Sequence, residues 1–160
     1  MGGIGKTTLA ERIINDPRIK EGFQLKIWVC VSKEVKGVDV LKCLIREAGG
    51  GHDVAQERSE LVPLLERIIQ KKRFILVLDD VWEESRAIWV DLLRTPMSGA
   101  AHGSRLLVTT RDERVANAMR ATKSHRVDKL SHEDGWALLI KQVSLITMMV
   151  FYNLITPYLN

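Results

Sequence analysis

The stretch that decides the fold lies at residues 2–8, Gly-Gly-Ile-Gly-Lys-Thr-Thr. Glycines allow a loop to wrap closely around phosphate groups, with its backbone N–H groups directed inward. Apolar residues at helical spacing follow directly, so the pattern predicts a helix that begins near Lys6 and ends at Asp16-Pro17. The positive end of that helix dipole would face the same phosphates, which makes residues 2–8 a predicted phosphate-binding loop.

The polar side chains of this loop have separate expected roles toward a nucleoside triphosphate. Lys6 is expected to reach the β- and γ-phosphates, the Thr7 hydroxyl to bind Mg²⁺, and Thr8 to contact the α-phosphate. The full set of expected nucleotide-binding residues in the loop is Gly2, Gly3, Ile4, Gly5, Lys6, Thr7 and Thr8. A flexible glycine turn before an unrelated helix is the plain alternative for this stretch.

The loop stands at the very start of the sequence. The full pattern GxxxxGK[ST] needs a glycine five positions before Gly5, which is one residue ahead of Met1. In a P-loop fold a strand precedes this loop and lies centrally in the sheet. We therefore expect this first strand to be missing from the chain.

Further along, apolar strands alternate with amphipathic helices. Strands are predicted over Leu25–Val31, Phe74–Leu78 and Leu106–Thr110, with a short one at His125–Val127. Helices are predicted from Leu41 to the glycines at 49–51, over Leu61–Ile69 with Pro63 in the first turn, over Glu113–Met119 and over Asp134–Lys141. This alternation predicts an α/β fold, an open parallel sheet covered by helices, whose ligands bind outside the carboxyl ends of the strands.

Two acidic residues follow the strand Phe74–Leu78 directly. At the carboxyl end of a strand beside the phosphate-binding loop, Asp79 can hold Mg²⁺ directly or through water. Asp80 can orient and activate the attacking water. An acidic helix cap after a core strand is the alternative interpretation.

A third element, Gly103-Ser-Arg-Leu-Leu-Val-Thr-Thr-Arg111, ends in an arginine at the end of a predicted strand. Its guanidinium can stabilise charge on the γ-phosphate and so distinguish ATP from ADP. The alternative is a solvated surface arginine. We therefore expect Lys6, Asp80 and Arg111 to form the catalytic group, Arg111 to contact the nucleotide as well, and Thr7 and Asp79 to hold the metal.

Together these motifs resemble the NB-ARC nucleotide-binding domain of plant NBS-LRR disease-resistance proteins. The similar blocks, in order, are GGIGKTT, Phe23–Ser32, Phe74–Trp82, Gly103–Arg111 and Leu130–Leu139, and the resemblance that they carry extends over about 142 residues. The Trp82 that closes the LDDVW block, together with the WVCVS block, resembles the coiled-coil, non-TIR class. The later GLPL and MHD blocks and the leucine-rich repeats have no counterpart in the sequence, so we expect a partial domain of a larger receptor.

The resemblance implies a STAND-type ATPase switch in a cytoplasmic immune receptor. ADP would hold a closed resting state, and exchange for ATP would permit oligomerisation, with slow Mg²⁺-dependent hydrolysis in the intact protein. Implied partners are an adenine nucleotide, flanking coiled-coil and leucine-rich-repeat regions, and further copies of the receptor. Two alternatives stay open: a truncated gene fragment that keeps the motifs but binds nucleotide poorly, and another P-loop enzyme such as a small-molecule kinase.

Charge is distributed unevenly over the 160 residues. The chain has 24 Lys and Arg against 20 Asp and Glu, a net charge of +4, and no basic run that would indicate nucleic-acid binding. All the charged residues lie within 1–142, the predicted partial nucleotide-binding domain, and none lies in 143–160.

The uncharged tail, residues 143–160, allows three interpretations. It contains two asparagines and a proline, which disfavours a membrane helix, and a native buried helix is a second possibility. The triplet Gln-Val-Ser at 142–144 can be encoded as CAG GTA AGT, which matches a strong intron donor site. We therefore predict that the tail is translated intron sequence or another frame disruption.

Overall fold

The computed structural model describes residues 4–31, 36–51, 55–82, 96–119 and 121–141. The chain forms two compact units, Met1–His125 and Arg126–Asn160, and each is described by itself. The helices of the first unit are α1 (Lys6–Asn15), α2 (Pro17–Gly22), α3 (Gly37–Glu47), α4 (Arg58–Ile69) and α5 (Glu113–Ala118), with a short 3₁₀ helix at Pro96–Gly99. The strands are β1 (Leu25–Cys30), β2 (Phe74–Val81) and β3 (Arg105–Thr110).

The three strands form one parallel sheet in the order β1-β2-β3. The central strand β2 is buried along nearly its whole length, as expected for a strand covered on both faces. The edge strand β1 instead alternates, with Ile27 and Val29 buried but Lys26 and Cys30 exposed. The predicted parallel α/β sheet is confirmed. The apolar run of β1 predicted a strand buried on both faces, whereas this edge strand is buried mainly on one face.

Helices α3 and α4 provide the main core beside β1 and β2. Their apolar residues recur every three or four positions and so lie on one face of each helix. These buried side chains are Val40, Leu41, Leu44 and Ile45 on α3, and Leu61, Leu65 and Ile69 on α4. Each fully buried aliphatic side chain contributes about 1.5–3 kcal/mol to the free energy of folding. This packing therefore stabilises the sheet that positions the site.

Helix α1 ends where the sequence predicts, but the proline beyond it starts another helix. Asp16 is extended, and its carboxylate accepts a hydrogen bond from the backbone N–H of Arg18 at 2.9 Å. Pro17 occupies the first position of α2, where its missing N–H costs no helical hydrogen bond. The Asp-Pro pair therefore ends one helix and caps the next, so α2 went unpredicted.

Two local predictions are wrong. Helix α4 begins at Arg58, so Pro63 is its sixth residue and lies inside the helix rather than in the first turn. A reciprocal pair of hydrogen bonds between Glu57 and Glu60 caps α4 at this earlier start. Residues 125–127 form no strand and lie in an irregular segment; three residues carry too little pattern to specify pairing.

The second unit contains a helix, α6, over residues 132–141. The backbone N–H of Asp134 donates to the Ser131 hydroxyl at 3.0 Å, and that hydroxyl donates to the Asp134 carboxylate at 2.7 Å. This serine cap explains why α6 begins two residues before the predicted start. None of the helices in the described ranges is long and apolar enough to cross a membrane. The tail at 143–160 lies outside the described residues.

Candidate functional site

The amino end of α1 has the properties of an anion site. Gly5 precedes the helix with φ 86° and ψ 15°, a left-handed conformation that glycine adopts without steric cost. Its carbonyl accepts the first helical bond, from Leu9 N–H at 2.9 Å. Gly5 has no side chain with which to cap α1, and no acid lies in the first turn; α3 also lacks a side-chain cap but has Asp39 in its first turn. The N–H groups of a first helical turn point out of the amino end of the helix, so this end of α1 suits a phosphate.

Thr7 joins α1 to the carboxyl end of β2. Its hydroxyl lies 3.0 Å from each carboxylate oxygen of Asp79, although the two residues are 72 positions apart in sequence. Asp79 is buried, with 4% of its surface exposed. The two residues expected to hold a metal are therefore in direct contact, and they offer a carboxylate and a hydroxyl oxygen, the hard ligands that Mg²⁺ prefers.

The described residues contain no group of three or more His, Cys, Asp or Glu side chains that could hold a metal ion. Magnesium sites in nucleotide-binding proteins commonly use one or two carboxylates, and phosphate oxygens and water complete the coordination. The Thr7–Asp79 pair fits that pattern.

A bulge in β2 separates the two neighbouring acids. The pairing of β2 with β3 shifts between Leu78 and Val81, and Asp80 has φ 57°. This left-handed conformation costs most residues roughly 1–2 kcal/mol, but aspartate tolerates it better than most. In a regular strand, successive side chains point to opposite faces. The bulge interrupts that regular pattern at the two acids, of which Asp79 is buried and contacts Thr7, and Asp80 is partly exposed.

Asp80 and Arg111 form an ion pair with two hydrogen bonds. Arg111 Nε donates to one carboxylate oxygen at 3.0 Å, and its Nη2 donates to the other at 3.2 Å. The Arg111 guanidinium also lies over the Trp82 ring, 5.1 Å from its centre. Arg111 is therefore held by a carboxylate and an aromatic ring, and it is not simply a solvated surface arginine.

Thr109 connects these two pairs of residues. Its hydroxyl donates to Asp79 Oδ1 at 2.5 Å and accepts the backbone N–H of Asp80 at 2.8 Å. Sequence reasoning did not assign a role to this buried threonine. The signal that could have identified it is a polar residue near the end of an otherwise apolar strand, directly opposite two acids.

The structure describes only some of the other residues of the predicted phosphate-binding loop. Lys6 is the first residue of α1 and is half-buried, Ile4 lies in a half-buried bend, and Thr8 is exposed in the first turn. Gly2 and Gly3 lie outside the described residues. The roles assigned to all of these residues stay predictions.

The two acids also act on the neighbouring strand. Partial burial raises the pKa of the Cys30 thiol, and the negative charges of Asp79 and Asp80 raise it further. Cys30 is paired with Asp79 in the register of β1 and β2.

Comparisons with known proteins give a family match and several relatives. The family model described as NB-ARC domain matches residues 1–148. "Disease resistance protein RGA2" of Solanum bulbocastanum is 37% identical over 145 residues, which covers 89% of this chain and 15% of that protein. "Putative disease resistance RPP13-like protein 1" of Arabidopsis thaliana is 40% identical over 145 residues, with 89% and 14% covered.

The chain spans 14% to 15% of the length of these curated relatives. The family match ends at residue 148, and the domain boundary expected after residue 142 stays a prediction.

Proposed function

Since the chain belongs to the NB-ARC family, which implies nucleotide binding, we propose that it is the ADP- and ATP-binding switch module of a plant disease-resistance receptor. The observation that carries this proposal is the contact between the Thr7 hydroxyl and the buried Asp79 carboxylate. It joins the glycine-rich loop to the acidic strand end, which are the two halves of a phosphate and magnesium site.

Phosphate binding is assigned to the start of α1. The backbone of residues 2–5 would wrap around the phosphates, and Lys6 would contact the β- and γ-phosphates. Thr8 would contact the α-phosphate. The left-handed Gly5 and the absence of a side-chain cap on α1 support this assignment.

Thr7 and Asp79 would hold Mg²⁺, which neutralises phosphate charge when it is bound. Both residues supply oxygen atoms, and the burial of Asp79 lowers the local dielectric constant and so strengthens its attraction to a cation.

Asp80 and Arg111 are assigned to hydrolysis and to discrimination between ATP and ADP. Asp80 and Arg111 pair with each other, so the Asp80 carboxylate is occupied by a guanidinium. When Arg111 leaves Asp80 and binds a terminal phosphate, the Asp80 carboxylate becomes available to orient water. The same movement of Arg111 would therefore serve both the recognition of ATP and its hydrolysis. Hydrolysis would be slow.

The role of the whole receptor extends beyond this module. The relatives are named as disease resistance proteins, and we assign this chain to the same biological process. It would act in the cytoplasm beside coiled-coil and leucine-rich-repeat regions, and ATP binding would promote self-association. Direct partners in membranes or nucleic acids are not expected.

Calorimetry with ADP in Mg²⁺ buffer tests this function. The wild-type chain is expected to bind, Lys6→Ala to lose most of the affinity, and Lys20→Ala to bind like wild type because Lys20 lies exposed on α2. Equal binding by all three proteins would contradict the phosphate assignment.

A wild-type chain that binds no nucleotide would contradict the proposed function and would favour the alternative of a non-functional gene fragment.

A further inference from the structure

Thr109 lies opposite the bulge in β2. Leu78 pairs with Val108 and Val81 pairs with Thr110, so Asp79 and Asp80 together face the single residue Thr109. A bulge disrupts the hydrogen-bond ladder of the sheet locally. At this position the missing ladder contact is replaced by a side chain, since the Asp80 N–H donates to the Thr109 hydroxyl at 2.8 Å.

The Thr109 hydroxyl accepts one hydrogen bond and donates another at the same time. It accepts the Asp80 N–H and donates its own hydrogen to Asp79 Oδ1 at 2.5 Å. A valine of similar shape could do neither, and Asp79 and Thr109 are both buried, with 4% and 8% of their surfaces exposed. Water therefore has little access to replace a lost partner, and an unpaired buried polar group is costly.

From this geometry we infer that Thr109 is a positioning residue that holds the magnesium-binding carboxylate of Asp79 and the backbone of Asp80 in one fixed arrangement. The inference rests on the proposed function. The Thr7 hydroxyl contacts both oxygens of the same carboxylate from α1, so Asp79 is oriented by one hydroxyl from each side. Asp80 is held in the left-handed conformation that brings its side chain to Arg111.

A purely structural threonine is available for comparison on the same strand. The Thr110 hydroxyl donates to the Val81 carbonyl at 2.8 Å and accepts the Asp112 N–H at 3.1 Å. It therefore binds backbone atoms at the same sheet edge, and its hydrogen bonds do not involve Asp79 or Asp80. Thr110→Val is a matched control for the loss of a threonine hydroxyl from β3.

The experiment compares Thr109→Val, Thr109→Ser and Thr110→Val in this chain. Binding of the slowly hydrolysed analogue ATPγS is measured in EDTA and across a Mg²⁺ titration, and circular dichroism monitors folding. Loss of a group that orients a metal ligand commonly lowers metal affinity by about 10–100-fold. We expect Thr109→Val to raise the half-saturating Mg²⁺ concentration by about tenfold, without a change of affinity in EDTA. Thr109→Ser and Thr110→Val should keep the wild-type Mg²⁺ dependence.

A smaller variant, Thr109→Ala, repeats the measurement in case valine does not fold. An unchanged Mg²⁺ dependence in a folded Thr109→Val or Thr109→Ala would overturn the inference. So would an equal loss of binding with and without Mg²⁺, or the unfolding of both variants, because each result would assign Thr109 to structure alone. A wild-type chain that binds no nucleotide would instead refute the proposed function, and the inference would fail with it.

Discussion

Replacing Asp80 by asparagine should change the preference of the site between ATP and ADP. Asparagine keeps the shape of the side chain and tolerates the left-handed backbone at φ 57°, so the bulge should survive. The contact between the Asp80 N–H and Thr109 involves the backbone and should also survive. What is lost is the charge that holds Arg111.

The size of the effect follows from the exposure of the ion pair. The side chain of Arg111 is 43% exposed and that of Asp80 is 28% exposed, at a distance of 3.0 Å. Exposed ion pairs contribute about 0.2–1 kcal/mol, and the two-bond geometry places this one near the upper value. Because 1.4 kcal/mol corresponds to a factor of ten, release of Arg111 should favour ATPγS over ADP by up to about fivefold.

Competition between ATPγS and ADP, measured by calorimetry, gives this ratio directly. Loss of a negative charge near the phosphates would itself favour ATPγS, so the substitution is repeated in an Arg111→Ala background. The part of the shift that depends on Arg111 should disappear there, so Asp80→Asn should cause a smaller shift, and hydrolysis of ATP should be slower in both proteins. An unchanged ratio, or an equal shift without Arg111, would refute the proposed exchange of Arg111 between Asp80 and phosphate.

Two further predictions concern stability and titration. Gly50→Ala should destabilise the chain by about 1 kcal/mol in urea unfolding, because the added Cβ would crowd the Ile45 side chain and carbonyl oxygen, at 3.1 and 3.2 Å, as well as the terminal methyl of Ile68, which can move aside. Gly22→Ala, where the space is open, should stabilise it by about 0.4–1 kcal/mol, and equal effects of the two substitutions would contradict this packing. Hydrogen bonds from Arg18 lower the pKa of Asp16 to about 2 from an ordinary value of 3.8. The Asp16–Arg18 pair should therefore stabilise the folded chain above pH 4, and this stabilisation should be lost as the pH falls toward 2. An NMR titration of Asp16 with a midpoint near 4 would show that this pair does not form.

The sequence predicted the elements that are specified by local pattern. The apolar run before Asp79 indicated a buried strand, and the helical spacing after Lys6 indicated α1. Glycine, lysine and threonine in a fixed order also predicted the phosphate-binding end of the proposed site. These signals are local because a strand, a helix or a loop depends mainly on its own residues.

The remaining features depend on contacts between distant segments or on a particular side-chain cap. The left-handed conformation of Asp80 is set by the register between β2 and β3, and Thr109 is about thirty residues away in sequence. The early start of α4, which places Pro63 inside the helix, depends on the reciprocal cap between Glu57 and Glu60. A pattern search that treats proline as a start signal cannot detect such a cap.

The separate tasks proposed for Asp79 and Asp80 follow from their backbone, not from their chemistry. Both are aspartates and they are adjacent, so equal environments would give two similar carboxylates that repel each other. Asp79 is instead buried, and neutral hydroxyls from Thr7 and Thr109 stabilise its oxygens without neutralising its charge. A carboxylate in that position gains most from a divalent cation. Asp80 lies nearer to solvent, where its bond to Arg111 is weak enough to break when a phosphate competes, and this difference in burial is what makes one acid suited to hold a metal and the other to respond to the nucleotide.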